Sequence, residues 1–264
     1  MDEPLRPGGP PLTRRAISQY AKVSKGDRLL DVGCGRGDTL RLLTEEYGLI
    51  CAGIEPDEAR FAQACANAPD CDIRRGEAEQ LPFADESFHC VLGECSFSLF
   101  RDPPRALAEI RRVLKPHGRL VLTDVYAKSG RGATGSGLLR HLYPLAELER
   151  LLREGGFAPV GSEDCGKILL GMLGQLILDY GVEEAYRRIG ISQCGLKAGG
   201  AGYLIIAAEN SRPETAGERS AFALFLCWAP PAADAGGKNC ISSQGSGAAS
   251  AASLRGDKAT GGRA

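Results

Sequence analysis

Leu29-Leu30-Asp31-Val32-Gly33-Cys34-Gly35-Arg36-Gly37-Asp38 decides the fold of this 264-residue chain. An apolar run ends in an acidic residue, breaks into alternating glycines and resumes as the polar start of a helix. The pattern predicts a buried strand, a tight turn and a helix N-terminus in direct succession. Glycines let the backbone turn sharply and leave no Cβ between main chain and ligand. The helix start adds free N–H groups and a partial positive charge, so the turn is built to hold a ligand at the carboxyl end of the first strand.

Two ligand classes use such a turn. Dinucleotide sites need G-x-G-x-x-G, with a third glycine close to a pyrophosphate. Here the spacing is G-x-G-x-G, and Asp38 stands at the third-glycine position, where it would repel a pyrophosphate. Asp31 suits a ligand carrying positive charge, such as an amino or sulfonium group. D-x-G-x-G-x-G resembles the cofactor loop of class I S-adenosylmethionine-dependent methyltransferases. A strand–turn–helix without a ligand is the bland alternative.

The following segments arrive at the intervals of a βαβ ladder. Residues 49–54 form a continuous apolar run, as a strand buried on both faces does, and it closes at Glu55-Pro56. A carboxylate about 20 residues past the glycine turn is placed to meet ribose hydroxyls. Arg75-Gly76-Glu77-Ala78 and Leu81-Pro82-Phe83, followed by Phe88, are similar to the family's G-D-A-x-x-L-P-F and F-D segments. That resemblance puts Glu77 and Ala78 against the adenine ring, with Glu in place of Asp, while His89 replaces the usual Asp on a solvent-side strand position. Asp102 and Pro103 form a helix start, and Ala106, Leu107, Ile110, Val113 and Leu114 recur at helical spacing. Lys115-Pro116-His117-Gly118 is expected to end that helix, as K-P-G-G does in the family, with a cost at His117 if the position needs positive φ.

The resemblance covers about residues 12–210 and is close to the type-11 methyltransferase domain. It implies an α/β fold: a doubly wound, mostly parallel, seven-stranded Rossmann-like sheet with helices on both faces, strands one to five parallel and the last antiparallel. S-adenosylmethionine is the expected cofactor. Asp31, Gly33, Cys34, Gly35 and Gly37 would line its methionine part, Glu55 its ribose, and Glu77 with Ala78 its adenine. Residues 1–11 are expected as a flexible N-terminus and residues 211–264, rich in Gly, Ala and Ser, as a disordered tail. Ala221–Trp228 is an apolar run within that tail, too short to span a bilayer.

Composition narrows the function. Thirty-two Lys and Arg against 33 Asp and Glu leave a net charge of −1, with no electrostatic footprint for nucleic acid. Residues 1–11 carry no apolar stretch of a signal peptide, so the cytoplasm is the expected location. The ten cysteines include no C-x-x-C, and no paired histidines accompany them, so no metal site is expected. Cys51, Cys65 and Cys90 read as small core hydrophobes and Cys34 as a packing residue.

The acceptor edge is read from the ends of strands four and five. Glu94, Cys95 and Ser96 follow the fourth strand, and Asp124 and Tyr126 end the fifth. Glu94 and Tyr126 are the candidate catalytic residues; Cys95, Ser96 and Asp124 are candidate acceptor contacts. Residues 129–137 read as a mobile loop above that edge and residues 168–180 as an insert helix, with Asp164 and Cys165 beside it. The expected activity is in-line methyl transfer to a small-molecule acceptor. Thiol-dependent methylation of a metalloid such as arsenite, through Cys95, Cys165 and Cys194, is one alternative. A non-catalytic S-adenosylmethionine-binding module is the other, and the glycine spacing argues against a nicotinamide enzyme.

Overall fold

The computed structural model describes residues 6–128, 133–134, 141–189 and 200–211. Seven strands form one sheet: β1 (Arg28–Val32), β2 (Ile50–Glu55), β3 (Asp72–Arg75), β4 (Phe88–Glu94), β5 (Leu114–Ala127), β6 (Phe157–Asp164) and β7 (Ala201–Asn210). Their order is β3-β2-β1-β4-β5-β7-β6. β1 pairs in parallel with β2 and β4, β2 with β3, and β4 with β5, whereas β7 runs antiparallel to both β5 and β6. This is the doubly wound sheet that the sequence predicts. The order reverses between β1 and β4, and in open sheets of this kind the crevice at that reversal lies over the strands' carboxyl ends.

Alternating side chains sort the sheet into two cores. Leu30, Val32, Leu120 and Leu122 pack on one face with Ala106, Leu107 and Ile110 of α4 (Pro103–Val113) and Leu148 and Leu152 of α5 (Leu145–Glu154). Leu29, Cys51, Cys90 and Val121 pack on the other face with α1 (Gly9–Ala16), α2 (Asp38–Tyr47), α3 (Glu58–Asn67) and the start of α6 (Gly166–Tyr180). The central strands are buried on both faces, which is why they read as unbroken apolar runs. β3 is an edge strand of charged residues, a composition that discourages further pairing. Asp102 and Asp57 cap α4 and α3 by accepting from Arg105 N and Arg60 N.

Two boundaries differ from the sequence reading. Helix α4 ends at Val113, and 115–118 belong to β5 as extra length opposite a register shift between Phe88 and Cys90. His117 does take positive φ, at 59°. Residues 6–11, expected to be flexible, contain the start of α1, and Arg6 reaches the sheet. His89 is half-buried, its Nδ1 accepting from Arg28 N at 3.0 Å. The insert helix is present as α6, followed by α7 (Val182–Ile189). The 129–137 loop, except the two-residue strand Ala133–Thr134, and the tail beyond Ser211 lie outside the described residues.

Candidate functional site

The turn after β1 is fastened to β2. Gly33 N and Cys34 N both donate to Ile54 O, at 2.8 and 3.0 Å, and Gly37 N donates to Cys34 O at 2.9 Å. Three glycines in the turn have positive φ for different reasons. A Cβ on Gly33 would lie 2.7 Å from Ser96 Cβ, and one on Gly37 would lie 3.1 Å from the Ala64 backbone. A Cβ on Gly35 would meet nothing within 4 Å, so this glycine faces open space. Cys34 is buried against Gly53 and burial pushes its thiol up, so it packs and does not react.

Around this turn the ends of β1, β2 and β4 bring Asp31, Glu55 and Glu94 to one edge, each nearly or fully buried. Asp31 is 2% exposed, and its Oδ1 has no hydrogen-bond partner among the described residues. Burial and the nearby charge of Glu94 push its carboxyl well above the ordinary range, against the pull of Arg6. Ser96 Oγ is likewise buried and unpartnered there. Native interiors rarely leave such groups orphaned, and each one left so costs about 1–3 kcal/mol. Two of them beside an open glycine turn are matched to a ligand with a cationic group and a donor.

The other expected contacts are distributed as follows. Glu55 accepts from Gly35 N and from Asp57 N, both at 3.0 Å, so the ribose candidate also supports the turn. Ala78 is buried, while Glu77 is ion-paired with Arg101 Nη2 at 2.9 Å.

Glu94 is not the free carboxylate that a general base requires. It accepts from Thr13 Oγ1 and Thr39 Oγ1, both at 2.8 Å, and forms a short ion pair with Arg6 Nη1. Arg6 Nη1 also donates to Thr39 Oγ1. Glu94 therefore staples α1 and α2 to β4, with an arginine locking the arrangement. Sequence reading misses Arg6, Thr13 and Thr39, because nothing local to Glu94 points to partners so far along the chain.

Cys95 is also differently employed. It takes positive φ, at 53°, and its Sγ lies 2.9 Å from the Tyr203 hydroxyl, which also donates toward Thr123. Burial first, then the charge of Asp124, pushes its thiol up, and burial does the same to Cys165. Neither is held as the thiolate that binds soft ions. Cys194 lies outside the described residues, among which no group of three or more metal-ligating side chains gathers. Asp124 accepts from Ser98 N, Ser98 Oγ and Val125 N, at 2.7–2.9 Å, and is buried with Ser98. Tyr126 stands at the end of β5 among different partners, Asp164 of β6 and Lys128, over the glycine at 202. Burial and the Asp164 carboxylate push its hydroxyl up, so it is a donor at neutral pH.

The chain is similar to known proteins over the region that carries this turn. Residues 30–122 match the family model described as "Methyltransferase domain". A probable phthiotriol/phenolphthiotriol dimycocerosates methyltransferase of Mycobacterium ulcerans is 33% identical over 133 residues, 47% of this chain and 51% of that protein. The chain spans about half the length of the first curated relatives it matches. Among solved structures, the [4+2]-cyclase SpnF is 25% identical, with a TM-score of 0.62, covering 76% of this chain and 81% of that one. A phosphoethanolamine N-methyltransferase of Haemonchus contortus, solved with S-adenosyl-L-methionine, superposes with a TM-score of 0.65 at 21% identity, covering 78% of this chain and 54% of that one. No helix among the described residues is long and apolar enough to cross a membrane.

Proposed function

We propose that the chain is a class I S-adenosylmethionine-dependent methyltransferase that transfers a methyl group from S-adenosylmethionine to a small-molecule acceptor. The observation that carries this reading is the pair of orphaned buried atoms, Asp31 Oδ1 and Ser96 Oγ, beside the glycine turn. When bound, the cofactor supplies a methyl group on a sulfonium that already contains a good leaving group.

The chain's own residues bind, orient and exclude water. Gly35 leaves the turn open, Asp31 offers a carboxylate to positive charge, and Ser96 offers a hydroxyl. Glu55 faces the ribose, while Ala78 and the loop of Glu77 flank the adenine. On the acceptor side we assign Tyr126, whose hydroxyl feels the Asp164 carboxylate and Lys128, to positioning an acceptor atom. Cys95 and Asp124 shape the strand ends through Tyr203 and Ser98. Glu94 anchors the edge, and the reading assigns it no proton transfer.

Metalloid methylation loses its support because desolvation favours the thiol form of Cys95 and Cys165. Binding without methyl transfer is the second reading, favoured by the likeness to a protein described as a cyclase.

The test is calorimetric titration of the full chain and of Asp31→Asn with S-adenosylmethionine, S-adenosylhomocysteine and NAD. Micromolar binding of both sulfur ligands, absent for NAD and weakened at least tenfold in the variant, is expected. A folded chain that binds neither sulfur ligand removes the reading. Binding without turnover across a broad acceptor panel selects the non-catalytic module.

A further inference from the structure

Cys51 and Cys71 lie side by side on neighbouring chain segments. β2 and β3 pair in parallel with Ala52 opposite Asp72 and Gly53 opposite Ile73, so one step back along both chains sets Cys51 beside Cys71. Both side chains pack into the core on the α2 side of the sheet, Cys51 buried and Cys71 half-buried. A bond from Cys71 N to Ala68 O, at 3.1 Å, holds the approach to β3 in place. Thr44 of α2 marks the meeting point. Its Oγ1 lies 3.6 Å from Cys71 Sγ and is also a hydrogen-bond partner of the Cys51 thiol. One hydroxyl within reach of two sulfurs keeps those sulfurs near each other.

Register sets this pair apart from the next thiol in the row. Cys90 of β4 stands level with Cys51, but Leu29 of β1 lies between them. Adjacent strands are about 4.8 Å apart, which is inside the roughly 4.4–6.8 Å between Cα atoms that a disulfide bridges, whereas two strand spacings exceed it. Access is graded as well. Cys71 is partly exposed to a reagent in solution, while Cys51 is 5% exposed and lies behind it.

We propose that Cys51 and Cys71 are a modification site: they form a reversible disulfide with a low-molecular-weight disulfide as oxidant, tying edge strand β3 to β2. The Cys71 thiolate attacks one sulfur of the reagent, whose S–S bond breaks. The first half leaves as a thiol and takes up the proton lost from Cys71. Cys51 Sγ then attacks Cys71 Sγ, the mixed disulfide breaks, and the second half leaves as a thiol with the Cys51 proton. Two protein thiols are oxidised and one disulfide is reduced to two thiols. Burial pushes both protein thiols up, Cys51 to about 12, and the Thr44 hydroxyl pulls against it, so exchange quickens as pH rises. The closed ring of chain contains α3 and Glu55, so the cross-link braces the unit that carries the ribose candidate.

The experiment incubates the folded full chain with oxidised glutathione at mildly alkaline pH, quenches with acid, alkylates the remaining thiols and maps the peptides by mass. The expected product is a peptide pair joined through Cys51 and Cys71, two hydrogens lighter than the reduced pair and restored by dithiothreitol. In Cys51→Ala the reaction should stop at the first step, with one glutathione held on Cys71. Glutathione that persists on Cys71 in wild type, as it does in that variant, would show that the two sulfurs do not meet and would overturn the proposal. So would a Cys71 that does not react, or a cross-link from either residue to a different cysteine. The wild-type map decides between these outcomes by itself, so a variant that fails to fold does not remove the test.

Discussion

Gly33 and Gly35 stand two residues apart in one turn, yet an added methyl group meets opposite surroundings. At Gly33 it would lie 2.7 Å from Ser96 Cβ with φ at 82°, so Gly33→Ala should cost about 2–4 kcal/mol in urea unfolding. At Gly35 φ is 56° and the space is empty, so the stability loss should be only about 1–2 kcal/mol. The Gly35 methyl group would occupy the ligand's approach, so binding of S-adenosylhomocysteine should be lost in a folded protein. A Gly35→Ala variant that binds like wild type would show that the ligand lies elsewhere. Asp124 carries a different signature. Burial pushes its carboxyl from 3.8 up to about 6, despite the Ser98 and Val125 donors that pull it back. The folded state therefore holds this proton more tightly than the unfolded chain does. The resulting stability is complete below pH 3.8 and is lost as pH rises through about 6. The shift corresponds to on the order of 3 kcal/mol. Urea midpoints should fall between about pH 4 and 6.5 and level off above that, and Asp124→Asn should shrink that fall even though it leaves one donor unmatched. An unchanged pH dependence in the variant would assign the effect to another group.

Helix α1 shows how much of an element depends on distant partners. Its N-cap is Gly8, with no side-chain cap, and Thr13 turns inward to a glutamate 81 residues away. Thr13→Val keeps the shape and removes the donor, so it should cost about 1–3 kcal/mol. Hydrogen exchange should quicken across residues 9–16 while β1 and β4 stay protected. Uniform loosening of the sheet would contradict a staple that acts on one element. The same example separates what the sequence reveals from what it hides. β1, β2 and β4 were legible because strands buried on both faces are continuous apolar runs punctuated by glycine or proline. Asp31 and Glu55 were legible because strand ends in this topology face the crevice. Helix α6 was readable from its apolar length. Helix α1 was not, because Gly-Pro-Pro carries a start signal but no sign of what the helix covers. The partners of Glu94 are hidden from the sequence, since Arg6, Thr13 and Thr39 come to it only after folding. Lys115-Pro116-His117-Gly118 looked like a helix end because its residues suit one, whereas the register shift against β4 takes them into the strand.

At the scale of the molecule, charge is balanced overall and concentrated locally. The net charge is −1, yet the parallel strands deliver Asp31, Glu55 and Glu94 to one edge, where Arg6 pairs with Glu94 and Arg60 reaches Glu55. Burial raises the cost of ionising Asp31, and Glu94 adds to it, so the free site binds a proton in competition with a cationic ligand. S-adenosylmethionine carries a sulfonium that S-adenosylhomocysteine lacks. A sulfonium beside Asp31 stabilises the carboxylate and lowers its pKa, so binding must expel the proton wherever the free site holds one. Affinity for S-adenosylmethionine relative to its product should therefore rise with pH, by up to about tenfold per unit for one proton, and level off once Asp31 is ionised in the free site. The ammonium group, common to both ligands, expels part of that proton in either complex, so the ratio reports only the part that the sulfonium adds. Titrations of both ligands from pH 5.5 to 8, in two buffers of different ionisation enthalpy, measure the ratio and the released proton together. Asp31→Asn should flatten the ratio and abolish the extra proton release. A ratio independent of pH in wild type would mean that the sulfonium does not lie beside Asp31, and the acidic edge would then serve the fold and not the choice between substrate and product.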